Sequence, residues 1–262
     1  MTGRNIQKYG QHFLVSPRVI NDIVDAAQVL RAENWVEIGP GQGALTQEFI
    51  KRGRTHFTVV EIDPQMVKFL QQHLPPDSVV KIIQADFLQF DLAQLPAVPT
   101  QFVSNLPYID AAAILDKVLA WPHFQTAVFM FQREQAQKIT ARPGEKGYGA
   151  LSVLSQLRAR ISLICNVGRG CFNPPPQVDS RVLAFEKIPA PQNGPTVNRL
   201  VRAAFLHRRK TLLNALLLAG YEKGKITSAL AQWGLPLTVR PEELSPAQFV
   251  QLAYALKENN SF

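Results

Sequence analysis

Cysteine is nearly absent from this 262-residue chain: Cys165 and Cys171 are the only two, with no C-x-x-C spacing and no clustered histidines. That excludes a disulfide framework and leaves no zinc-type ligand set, so no metal is expected. Long apolar runs are missing too. The opening stretch MTGRNIQKYGQHFL has no apolar segment followed by a small-residue cleavage site. Neither a membrane span nor a secretory leader is expected, and the chain reads as cytoplasmic. Acidic residues are in short supply, 20 against 28 Lys and Arg.

What is present is ordinary globular material, 46% hydrophobic and 18% charged, in a chain long enough to bury a substantial core. The net charge of +8, with a pI near 9.7, raises nucleic acid or another anionic surface as a partner. The excess is uneven. Residues 197–262 carry nine Lys or Arg against four Glu, a net +5 in 66 residues. For any single lysine among them, a solvated face that keeps the protein soluble is the better reading.

Strand-like stretches alternate with helix-periodic ones through the first two thirds. WVEIG (35–39), HFTVVEI (56–62), VVKIIQA (79–85), QFVSN (101–105) and TAVFMFQ (126–132) are the strand candidates, with helices near 44–52, 64–73, 110–120 and 132–141. Near-continuous apolar strands alternating with helices predict a mostly parallel α/β sheet covered on both faces. RISLICNV (160–167) and RVLAFEK (181–187) bring the strands to seven, and a proline-rich loop joins them, which suits an antiparallel pair closing the sheet. IPAPQNGPT reads as a linker, and four helices are expected after it, over 197–206, 208–219, 223–232 and 245–257. The predicted organisation is a domain over 1–188, a linker over 189–196 and a small basic helical domain over 197–262.

Three successive strand ends carry residues suited to a ligand. VEIGPGQGALT places Gly39, Gly41 and Gly43 between the first strand and a helix, where glycine lets backbone pass close to a bound molecule. The spacing G-x-G-x-G is not the dinucleotide fingerprint, and a glycine-rich turn alone also occurs where nothing binds. The next strand ends at Glu61, 22 residues after Gly39, where a carboxylate can accept both hydrogens of a ribose diol. The third ends at Asp86, an acceptor suited to an exocyclic adenine amine. Each acid alone could be a solvated strand end or a helix cap; together with the loop they outline an adenosine-shaped site at the carboxyl edge of the sheet.

The fourth strand, FVSNLPYID, runs straight into Asn105, Leu106, Pro107 and Tyr108. Pro107 fixes its own φ and keeps Leu106 out of the α region, so the carbonyls around it are held rather than sampled. The glycine loop, the two acids and this N-L-P-Y together resemble the class I S-adenosylmethionine-dependent methyltransferases, a Rossmann-like fold, and within them the enzymes that methylate exocyclic amines. The resemblance implies that oxygens of Asn105 and Leu106 hold an adenine N6 while Tyr108 stacks on the base, with positioning rather than a strong base carrying the rate.

YGQHFLVSP (9–17), YGALSVLSQ (148–156), CFNPPPQVDS (171–180) and FLHRRKTLLNAL (205–216) narrow the likeness to the ribosomal RNA adenine dimethyltransferases, over nearly the whole chain. The bacterial members modify two adjacent adenosines near the 3′ end of small-subunit ribosomal RNA. The resemblance implies that His12 and Leu14, in an arm before the first helix, close over the cofactor with Gly39 and Gly41. It gives Glu61 the ribose, Asp86 the cofactor adenine, and Asn105 a place between cofactor and target. Phe172 becomes the second wall of the base pocket, opposite Tyr108. Arg208, Arg209 and Lys210, at the start of a helix, are expected on RNA phosphates. The expected cofactor is S-adenosylmethionine, the expected partner a preribosomal 30S particle, and the expected state a monomer.

Two departures fall on the expected RNA side: Ile109-Asp110-Ala111-Ala112 follows the motif where the family has a polar run and a proline, and Ala150 replaces an arginine. Two other readings fit the same residues. One is the sister group that dimethylates large-subunit RNA and confers antibiotic resistance; the other is a non-catalytic assembly or transcription factor on the same fold.

Overall fold

The computed structural model describes residues 12–207 and 209–256. Its strands are β1 (Phe13–Leu14), β2 (Asn34–Ile38), β3 (His56–Glu61), β4 (Val79–Gln84), β5 (Thr100–Asn105), β6 (Phe124–Gln132), β7 (Ala159–Val167), β8 (Phe172–Asn173) and β9 (Ser180–Lys187). The α-helices in chain order are α1 (Pro17–Val29), α2 (Ala44–Lys51), α3 (Pro64–His73), α4 (Ala111–Ala120), α5 (Arg133–Thr140), α6 (Ala150–Gln156), α7 (Gly194–Leu206), α8 (Leu212–Leu218), α9 (Lys223–Gln232) and α10 (Pro246–Ala255).

Seven strands form one sheet in the order β4-β3-β2-β5-β6-β9-β7, and β1 pairs with β8 in a separate two-residue ladder. From β4 to β6 every pairing is parallel; β9 runs antiparallel to β6, with Met130 opposite Val182. Burial follows position. The central strand β5 is buried along five of its six residues, as a strand covered on both faces must be, whereas no residue of the edge strand β4 is buried. Helix α1 turns Val19, Ile23, Val24 and Ala27 into the core, a stripe at helical spacing.

Contacts divide the chain into two compact units. One takes residues up to Ala136 together with Arg160–Lys187; the other takes Gln137–Ala159 and everything from Ile188 on. The second unit has its own core, in which Tyr148, Val153 and Leu154 join residues of α7 to α10 such as Leu200, Leu216, Leu230 and Phe249. The Tyr148 hydroxyl donates to the Leu244 carbonyl at 2.8 Å. Residues 137–159 therefore group with the C-terminal helices.

Several element bounds differ from expectation. Helix α7 opens at Gly194, inside the Pro/Gly stretch, because Pro195 sits in the first helical turn, where a missing N–H costs nothing. The helix expected over 208–219 begins only at Leu212, with the Thr211 hydroxyl accepting from Asn214 N–H at 3.3 Å as its cap. Arg209 and Lys210 lie in the turn before it, both exposed. Arg208 falls outside the described residues.

Candidate active site

Because β2, β3, β4 and β5 are parallel neighbours, the residues after each of them gather on one edge of the sheet. The strand order reverses between β2 and β5, which is where open α/β sheets leave a crevice. After β2 the chain passes through Gly39, Gly41 and Gly43 with φ of 60°, 57° and 77°. A side chain at Gly43 would place Cβ 2.7 Å from a Leu70 methyl carbon, and one at Gly41 would meet the Phe13 ring at 3.1 Å. At Gly39 a Cβ would meet nothing within 4 Å.

Glu61 closes this loop onto β3. Its Oε2 accepts from Gly41 N–H and its Oε1 from Asp63 N–H, both at 2.9 Å. The side chain is 3% exposed. Burial raises its pKa above the ordinary carboxylate value, opposed by these backbone donors. Asp86, half-buried, accepts from Leu88 N–H at 2.9 Å through Oδ1, so its carboxylate shapes the turn that presents it.

Asn105 donates from Nδ2 to the His12 carbonyl at 3.0 Å. Only the amide nitrogen can face a carbonyl, so the orientation of this side chain is fixed and its oxygen remains as the available acceptor. The His12 ring faces Pro174 O at 2.9 Å through Nδ1, which requires a proton on that nitrogen. Its ring lies 5.9 Å from that of Tyr108, tilted by 31°. Tyr108 is anchored through its hydroxyl to Ser180 Oγ at 2.8 Å, and burial raises its pKa.

Two adjoining cavities, of about 360 and 430 Å³, occupy this edge. His12, Gly39, Ile62, Pro107 and Tyr108 line both; Leu14, Gly41, Glu61, Asn105 and Leu106 line the first, and Asp86 the second. Both volumes lie in the range of roughly 300–1,000 Å³ typical of small-molecule sites. With open space where a Gly39 side chain would stand, the residues present fit a nucleoside-bearing cofactor. Phe172 stands beside Leu14, a residue of the first cavity. It pairs with Leu14 across the β1–β8 ladder, is 3% exposed within the apolar core, and lines neither cavity. No pattern in the sequence announces a two-residue pairing between distant segments, so its inward orientation was not readable there.

Two contributors escaped the sequence reading. Glu37, mid-strand in β2 and 3% exposed, lines the first cavity and accepts from Thr46 Oγ1 at 2.6 Å. Burial, with the nearby Glu61 charge adding to it, pushes its pKa up to about 8. An acid inside the apolar run WVEIG was the available signal. Ser180, which holds Tyr108, closes the CFNPPPQVDS stretch, but nothing in that stretch names its partner.

A seven-stranded sheet of this order, with a glycine loop, two strand-end acids and an Asn-Leu-Pro-Tyr turn sharing one edge, is the class I methyltransferase arrangement. Residues 3–258 match the family described as ribosomal RNA adenine dimethylase, and the chain belongs to that family. It is 39% identical to the ribosomal RNA small subunit methyltransferase A of Synechococcus sp. (strain JA-3-3Ab), over 96% of this chain and 93% of that one. It is 36% identical to the protein of the same name from Pseudomonas putida (strain KT2440), over 96% and 95%. Among solved structures, a dimethyladenosine transferase from Plasmodium falciparum superposes with a TM-score of 0.77 at 23% identity, covering 92% of this chain and 96% of that one. The 23S rRNA methyltransferase ErmE gives 0.71 at 30% identity, covering 93% and 99%.

Proposed function

We propose that this chain transfers methyl groups from S-adenosylmethionine to N6 of two adjacent adenosines near the 3′ end of small-subunit ribosomal RNA, within a preribosomal 30S particle in the cytoplasm, and that it acts as a monomer. The reading assigns methyl transfer to the unit made of the chain up to Ala136 and Arg160–Lys187, and RNA docking to the basic helices after Ile188. S-adenosylmethionine would supply an electrophilic methyl on a sulfonium. Glu61 and the glycine loop would hold its ribose and tail, with His12 and Leu14 covering them, and Asp86 would accept from its adenine.

The observation that carries the reading is the fixed amide of Asn105. With Nδ2 committed to His12, Oδ1 is the end available to accept a hydrogen from the target amine. Leu106 O, held by Pro107, is the second acceptor. Two such acceptors draw the amine lone pair out of conjugation with the ring and toward the methyl, while Tyr108, held by Ser180, supplies a surface for the base. Each transfer forms one N–C bond, breaks one S–C bond and releases one proton from the amine.

The test is incubation of isotopically labelled S-adenosylmethionine with undermethylated 30S subunits and, in a parallel reaction, with large-subunit RNA, followed by mass spectrometry of nuclease fragments and nucleosides. N6,N6-dimethyladenosine at two neighbouring positions is expected. Label confined to large-subunit RNA, or absent from both, would overturn the proposal.

A further inference from the structure

Lys117 stands in the last turn of α4, where a cation is ordinarily read as a partner for the helix dipole. Its ammonium does something more specific. Nζ donates to three carbonyls of one neighbouring loop: Phe87 O at 2.8 Å, Leu88 O at 2.9 Å and Phe90 O at 2.6 Å. An ammonium has three N–H donors, so all of them are used on this loop. Three carbonyl oxygens converging on one point repel one another unless a cation occupies it. The side chain also passes over the Phe87 ring, 5.5 Å from its centroid, and burial lowers the Lys117 pKa while Asp86 and Asp91 oppose that shift.

The loop so held begins at Asp86. Asp86, Phe87 and Leu88 form one side of the second cavity, and Pro107 to Asp110 with Ile114 contribute another. Ile114 and Lys117 are three residues apart on α4 and so share a face of that helix. We infer that Lys117 is a positioning residue, a built-in cation that fixes the 86–90 loop against α4 and so sets the spacing of the cavity that grips the cofactor's adenine. This rests on the proposed assignment of Asp86 to that adenine. The adenine lies at the far end of the cofactor from the transferred methyl. Loosening the loop therefore weakens the grip without disturbing the reacting atoms.

The test uses the full chain with Lys117→Met, Lys117→Ala and, as reference, Asp86→Ala. Binding of S-adenosylhomocysteine is measured by calorimetry, and steady-state kinetics are measured on undermethylated 30S subunits. Lys117→Met is expected to raise Kd and the KM for S-adenosylmethionine about tenfold, with kcat and the KM for RNA within about twofold of wild type. In Lys117→Ala, n-propylammonium should restore affinity by occupying the carbonyl cage, and n-propanol should not. Wild-type affinity in both Lys117 variants beside a weakened Asp86→Ala would overturn the role of Lys117 and leave the adenine assignment standing. Wild-type affinity in Asp86→Ala would overturn the assignment and the inference with it. Loss of kcat and affinity together, in step with a lowered melting temperature and without ammonium rescue, would reduce Lys117 to a packing residue and also overturn the inference.

Discussion

Asn105 and His12, 93 residues apart in sequence, are joined by one hydrogen bond from Nδ2 to the His12 carbonyl. The bond ties the arm to the strand end and orients the amide at once. Asn105→Ala removes both functions, so kcat is expected to fall by about two orders of magnitude, the scale for losing one aligned electrostatic contact in a methyl-transfer geometry. Stability should fall by only about 1 kcal/mol, one ordinary hydrogen bond. Kinetics beside thermal melting check this; a large drop in melting temperature with activity tracking the folded fraction would make the residue structural.

Glu61 joins the glycine loop to β3 and is also the proposed ribose acceptor. Glu61→Ala is expected to weaken S-adenosylmethionine binding by about 1.5–3 kcal/mol, the range for hydrogen bonds to a charged group. Calorimetry on the folded variant decides it, and unchanged affinity would remove Glu61 from the site.

Gly39 and Gly43 share a left-handed backbone but differ in surroundings. Gly39→Ala should cost only the backbone strain of about 1–2 kcal/mol. Gly43→Ala also drives Cβ to 2.7 Å from Leu70, an overpacking that adds about 1–3 kcal/mol. Denaturant unfolding should therefore rank Gly43→Ala as the less stable of the two.

Glu37 makes stability fall with rising pH. The folded state keeps its proton up to about pH 8, whereas the unfolded chain loses it near the ordinary value of 4.5. Its contribution is present in full below 4.5 and is lost as pH climbs through about 8. The raised pKa of Glu61 acts in the same sense. Glu37→Gln, which mimics the protonated acid and can still accept from Thr46, should flatten the stability profile between pH 5 and 8 by roughly a few kcal/mol. Urea unfolding at a series of pH values measures the slope, and identical slopes in the two proteins would contradict it.

Arg209 and Lys210 project from the turn before α8. Reversing both charges should weaken RNA binding and reduce the salt slope of log K by about one to two, since each phosphate contact contributes nearly one. S-adenosylmethionine affinity should be unaffected. A wild-type salt slope would mean that the turn is only a solvated surface.

The parts of this molecule readable in sequence are those with local periodicity. The seven strands of the main sheet and helices such as α3 and α9 follow from apolar spacing within ten residues or so, and Gly39, Glu61, Asp86 and Asn105 follow from standing at successive strand ends. Contacts between distant segments were not readable. The pairing of Leu14 with Phe172, which buries the ring, has no local signal, and neither does the bond between Ser180 and Tyr108. The start of α8 was misplaced because Arg208-Arg209-Lys210 have helical propensity, which the Thr211 cap overrides.

The β1–β8 ladder has a thermodynamic consequence. The segment around His12 and Leu14 is tied down by a two-residue pairing, the bonds His12–Pro174, Asn105–His12 and Val15–Cys171, and the burial of Leu14. At about 0.5–1.5 kcal/mol per hydrogen bond the three bonds contribute about 1.5–4.5 kcal/mol, and burial of Leu14 adds about 1.5–3 kcal/mol, a total in the lower part of the roughly 5–15 kcal/mol that holds a typical domain together. The segment is thus expected to open more often than the whole domain unfolds, which hydrogen exchange of the Leu14 and Val15 amides would measure. Passage of a molecule as large as a nucleoside into the site need involve no motion of the sheet at all.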